Sequence, residues 1–140
     1  MKSGIKNFVI AALFTVSTGV FAEVSVITHP SNGDSISAKA ASKIFLGKSK
    51  KFPGGSEAIP IEHSVGTTQH TEFHDNVTHK NSAQLKSYWS RMVFSGKGQP
   101  PREVGSDAEV VSLISRNPNM IGYVDSSSVD GTVKVVLTAP

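Results

Sequence analysis

Ser64-Val65-Gly66-Thr67-Thr68, running into Gln69-His70-Thr71-Glu72-Phe73, sets small hydroxyl residues and a glycine ahead of a segment with helical spacing. The first backbone N–H groups of a helix have no intrahelical acceptor. Together with nearby hydroxyls they can converge on an anion. Ser, Thr and Gly also cap helices where no ligand is present, so the motif permits a binding site without requiring one.

A second group lies in the same segment. His70 and His74 stand four residues apart on one predicted helix face, with His63 and His79 nearby. Two imidazoles at that spacing can share a metal ion, with a third ligand from His63, from His29 or from an acid; His63, His70 and His74 are the metal-binding alternative. Glu72 sits between the two histidines, so the His-Glu-x-x-His order of a zinc protease is not met. The chain has no Gly-x-Ser-x-Gly elbow and no paired carboxylates. Ser95-Gly96-Lys97-Gly98 lacks the Gly-Lys-Ser/Thr of a nucleotide loop. Nothing here reads as an enzyme, and no cofactor is expected.

The elements that must position these residues follow from patterning. Lys2 and Lys6 precede an uncharged run from Phe8 to Val16, and Val20-Phe21-Ala22 presents small residues for cleavage. Residues 1 to 22 are therefore predicted to be a secretory signal peptide, cut after Ala22. The run is too short to span a bilayer, which takes roughly 20 apolar residues. Two of the 14 Lys+Arg and none of the 11 Asp+Glu lie in this leader, which leaves a mature charge near +1. That balance gives no argument for nucleic acid. With no cysteine in the chain, disulfides and thiol chemistry are excluded and an exported domain depends on its core. Residues 23 to 140 suffice for one compact domain.

Val24 to Thr28 alternates and is β-branched, predicting a first strand. Ser35 is placed to cap a short helix bearing Ile36, Ala40, Ile44 and Phe45, with Gly47 as its stop. Ala58 to Ile61 reads as a second strand, where Pro60 argues for an edge or a strand end. Phe73 and Val77 lie one helical turn apart before a break at Asn81. From Ser82 a helix carries Leu85, Tyr88, Trp89, Met92 and Val93 as an apolar stripe, predicted to be core. Ser106 to Glu109 has the form of a capping box ahead of Val110, Val111, Leu113 and Ile114, and Asn117-Pro118 closes that helix. Strands are expected at Ile121 to Val124 and Val133 to Leu137. The predicted class is α/β, with helices packed on a small mixed sheet.

Three blocks occur in order: Ile44 to Phe52 (IFLGKSKKF), Ser95 to Gly98 (SGKG), and Arg116 to Val124 (RNPNMIGYV). With Tyr88 and Trp89 on a helix before the Phe94 to Gly98 loop, the set resembles the phosphate ABC-transporter substrate-binding proteins, the PstS family. It is most similar to short, single-lobe exported relatives, over roughly Val24 to Ser128. The resemblance implies one lobe of a type II periplasmic-binding-protein fold and a periplasmic location. It further implies that Ser64, Gly66, Thr67, Thr68 and His70 match the loop that binds phosphate or a related small oxyanion. No arginine lies between Glu62 and Phe73, and His70 stands where the resemblance places one. A neutral imidazole offers one donor and no charge, so weak affinity is expected at neutral pH.

The expected function is an exported solute-binding-type module for a small inorganic anion, sensory or accessory to phosphate uptake. An ABC permease or a sensor protein is the expected partner. The alternatives are a structural or interaction module, with homodimerisation rebuilding the missing wall of the cleft, and a histidine-based metal-binding protein.

Overall fold

The computed structural model describes residues 23–139. The signal peptide expected at residues 1–22 lies outside the described residues, as does Pro140. Five strands form one sheet: β1 Val24–Thr28, β2 Ile59–His63, β3 Arg102–Val104, β4 Met120–Asp125 and β5 Lys134–Ala139. Their spatial order is β3-β2-β4-β1-β5. β2 runs parallel to β3 and β4, whereas β1 is antiparallel to β4 and β5. The sheet is thus mixed, as the patterning predicts.

Helices cover both faces, and the strand sequences show why. Every residue of β1 is buried, with Val24 and Val26 in one cluster and Ile27 in the other. On the first face α1 (Ala38–Phe45) and α2 (Thr68–Phe73) bury Ile44, Phe45 and Phe73 against Ile121 and Tyr123. The Phe73 and Tyr123 rings stack with centroids 4.1 Å apart. On the second face α4 (Asp107–Arg116) packs Val110, Val111 and Ile114 against Ile27, Ile61 and Val124. Gly122 allows this close approach, because a Cβ there would lie 2.9 Å from Val110 Cγ1 and 3.0 Å from Ile114 Cδ1.

Several local expectations are corrected. Ser37, not Ser35, caps α1, its hydroxyl accepting from the Ala40 N–H at 3.1 Å. Pro60 lies in an interior strand rather than at a sheet edge, though as the second residue of β2 it does stand at the strand end that the sequence also allowed. It sits where β2 pairs only with β4, before the β3 pairing begins at Ile61, so its missing N–H leaves no gap in that ladder. β3 went unpredicted, since three residues following Pro100-Pro101 give no period to read. The α4 cap is reciprocal, but Glu109 accepts from the Gly105 N–H rather than from Ser106.

The stripe on α3 (Ser82–Phe94) is not core. Only Leu85 is buried, Val93 is 44% exposed and Phe94 is 96% exposed. The helix itself is well specified: Asn81 and Gln84 form a full capping box. It lies over loops instead of the sheet. Trp89 stacks on Gly47, where a Cβ would come within 3.2 Å of the indole and φ is +69°, and Tyr88 donates to the Leu46 carbonyl. No helix among the described residues is long and apolar enough to cross a membrane.

Candidate functional site

The carboxyl ends of β2, β3 and β4 meet at one edge of the sheet. Ligands of α/β proteins collect in such a place, because loops and helix N-termini converge there. β2 leads through Ser64–Thr67 into α2, β3 leads through Gly105 and Ser106 into α4, and β4 ends in a single 3-10 turn, Ser126–Ser128.

The loop after β2 is held from within. Thr67 caps α2, its oxygen accepting from the His70 N–H at 3.2 Å while its hydroxyl donates to the Ser64 carbonyl at 2.8 Å. Gly66 adopts a φ of +94°, which a side chain would strain. The Ser64 hydroxyl reaches the Glu103 carboxylate at 3.3 Å. Among the described residues, the Thr68 hydroxyl and the backbone N–H groups of Thr68 and Gln69 have no protein acceptor. Thr68 is exposed, so these donors face solvent.

Beneath the loop lies a buried polar cluster. Strand alternation sends Glu62 and His63 to opposite faces. Glu62 meets α2: its Oε2 is 3.0 Å from His74 Nε2, and its Oε1 is 3.7 Å from His70 Nε2. The backbone tightens this arrangement, because α2 passes into a π turn at His74–Thr78, closed by the His79 N–H donating to the His74 carbonyl. The turn brings the Thr78 oxygen within 2.7 Å of His74 Nδ1. Such turns are rare in helices and frequent at functional sites. Burial and the neighbouring His74 hold the His70 imidazole below its ordinary pKa, against the opposing pull of Glu62. The buried ring faces inward, its Nε2 toward Glu62 and its centroid 4.4 Å from that of His74, rather than toward the loop.

His63 does not join His70 and His74. Its Nε2 lies 2.8 Å from Asp107 Oδ1 but off the line of a hydrogen bond, so it counts with the Thr28 and Tyr123 hydroxyls as a buried polar atom lacking an aligned partner. Burial drives the Tyr123 hydroxyl pKa far up, and the Glu62 charge adds to this. Asp107, the first residue of α4, also accepts from the Ser128 hydroxyl at 2.7 Å, from the Asp125 N–H at 3.3 Å and from the Gln69 amide at 3.4 Å. It ties the three strand ends together. Glu103 and Asp107 carry no signal in the sequence, and Glu62 reads there only as a charge beside the loop that repels an anion, because isolated acids offer no spacing that marks a partner.

Beside the cluster runs a groove of about 510 Å³ between α3 and the β2–β3 edge, lined by Glu62, His70, Leu85, Trp89, Pro101 and Glu103 among others. The Trp89 side of α3, predicted as packing surface, forms one wall of it.

No family model and no curated protein matches the chain. Solved structures do. One is described as a phosphate ABC transporter substrate-binding protein with bound phosphate, from Clostridium perfringens; it is similar at a TM-score of 0.63 and 20% identity, over 82% of this chain and 45% of that one. PstS from Borrelia burgdorferi matches at 0.58 and 17%, over 82% and 47%. An ABC-type phosphate transport receptor from Vibrio cholerae matches at 0.54 and 14%, over 82% and 46%. The chain spans less than half the length of these structures. The likeness establishes the fold, a mixed α/β unit corresponding to part of a PstS-like binding protein.

Proposed function

We propose that the chain is an exported solute-binding-type module that takes phosphate or a related small oxyanion at Ser64–Thr68, accessory to phosphate uptake or sensing. The observation that carries this reading is the unpartnered donor set at the carboxyl end of β2, on a fold shared with phosphate receptors. In this reading Thr68 supplies its hydroxyl and, with Gln69, backbone N–H groups. Gly66 lets the backbone approach, and Ser64 turns its hydroxyl from Glu103 to the anion. Thr67 and His70 hold α2 in place beneath. Glu103 and the absence of an arginine from the loop keep affinity low at neutral pH. An ABC permease or a sensor protein is the partner such a module would serve, in the periplasm after signal cleavage.

A thermal-shift series with phosphate, sulfate and carboxylates, in metal-free buffer, tests the reading. Phosphate or sulfate should raise the melting temperature of the wild type and not of Thr68→Ala. A flat response to every oxyanion would remove it.

A second reading, an interaction module or homodimer, is favoured by the exposed Val93 and Phe94 at the end of α3. Sizing chromatography of the wild type against Phe94→Ser tests it: a dimer that becomes monomeric supports it, and two identical monomers oppose it.

A further inference from the structure

We propose that Glu62, His70 and His74 form a binding site for a divalent transition-metal ion of the zinc type, independent of the anion reading. The three side chains are buried, and one donor atom from each lies within 4.8 Å of the others. Ligands on a tetrahedral zinc at bonds of about 2.1 Å sit roughly 3.4 Å apart. The separations of 3.0 Å from Glu62 Oε2 to His74 and 3.7 Å from Glu62 Oε1 to His70, one through each carboxylate oxygen, lie either side of that value. Two histidines and one carboxylate are a ligand set that zinc takes when a fourth position is left for water or an incoming molecule.

The surroundings of His74 point the same way. The Thr78 hydroxyl donates to the His74 carbonyl at 3.3 Å, so its oxygen is free to accept from Nδ1 at 2.7 Å. This contact accommodates the tautomer that a metal on Nε2 requires, with the proton on Nδ1 and the Nε2 lone pair facing Glu62 Oε2. In that tautomer a proton or a metal ion must lie between Nε2 and Oε2, and a metal ion can also engage His70, whose Nε2 at 3.7 Å from Oε1 is too far for a hydrogen bond to Glu62. A hydrogen bond that fixes the far nitrogen of a ligating histidine is the usual outer support of a metal site. The site also has an entry path, because Glu62 and His70 line the groove beside α3. His63, held on the other face by Asp107, is not a ligand.

The test uses purified protein stripped with chelator, in phosphate-free buffer, titrated with zinc and separately with cobalt. One zinc ion per chain should bind, with a melting temperature raised by about 5 °C or more at saturating metal. Cobalt should show the visible absorption of a tetrahedral nitrogen- and oxygen-ligated ion. Glu62→Gln and His74→Gln should each weaken zinc at least tenfold, since losing even an outer hydrogen-bonding partner of a ligand costs about that much. His29→Gln and His79→Gln should leave binding unchanged. The proposal is overturned if no saturable zinc binding occurs, if the cobalt spectrum is that of an octahedral aquo ion, or if binding follows His29 or His79. Should the buried variants fail to fold, the wild-type stoichiometry and cobalt spectrum decide alone. A negative zinc result leaves the oxyanion reading standing, since that is measured without metal.

Discussion

Thr67 and Thr68 are adjacent, chemically identical and expected to behave in opposite ways. The Thr67 hydroxyl serves two bonds at once, accepting from the His70 N–H and donating to the Ser64 carbonyl. Replacing it with alanine removes a helix cap, which typically costs about 1 kcal/mol, and a second half-buried hydrogen bond worth a similar amount. Since α2 has six residues, it cannot sustain itself without its cap and packing. Thr67→Ala should therefore lose about 1–2 kcal/mol in urea unfolding, and Thr67→Ser, which keeps both bonds, less than about 0.5 kcal/mol. Thr68 makes no side-chain bond to the protein and is exposed, so Thr68→Ala should leave the urea midpoint within about 0.3 kcal/mol of wild type while abolishing the phosphate-induced shift. Equal stability of Thr67→Ala and wild type would refute the cap assignment. A destabilised Thr68→Ala that still responds to phosphate would refute the division of labour between the two residues.

Two further outcomes follow from the packing and the charges. Gly122→Ala should lose about 1–3 kcal/mol, because the new methyl must displace Val110, Ile114 and Ile61 in a closed core; adding Ile114→Val should recover part of the loss, and an undamaged single variant would contradict the close helix-to-sheet approach. The Asp125 carboxylate accepts from the hydroxyl and the N–H of Ser127, which hold its pKa below the ordinary aspartate value of 3.8. Its contribution is present above that value and disappears as pH falls through the lowered folded value, so acid unfolding of Asp125→Asn should be shallower than wild type below pH 3.8.

The elements were largely legible because each carries a local signal: alternation in β1, a glycine after α1, Asn81 ahead of α3, Ser106 ahead of α4. What failed to show locally was what covers each face. The stripe on α3 has the period of a buried helix, yet periodicity records only that one side is apolar. Val93 and Phe94, at the end of α3, are exposed. β3 was missed because its strand character comes from pairing with β2, not from its three residues. At the candidate site, His70 and His74 could be paired from their spacing alone. Glu62 could not join them on paper, since its role depends on β2 passing beneath α2. His63 was grouped with them because it is close in sequence, and strand alternation turned it to the opposite face.

The π turn at His74–Thr78 also has a genetic reading. A turn of this kind holds one residue more than the α-helical turn it replaces, so it differs from a plain helix by a single inserted codon. Deleting Asn76 would return the turn to α-helical geometry and leave the chain after it in register with α2. Thr78 would then stand three residues from His74 instead of four, so its 2.7 Å contact with Nδ1 would be lost from that spacing, while His70 and Glu62 stayed where they are. A lineage carrying this fold could therefore gain or lose the support of its histidine pair in one mutational step, with the sheet and both helical layers unchanged.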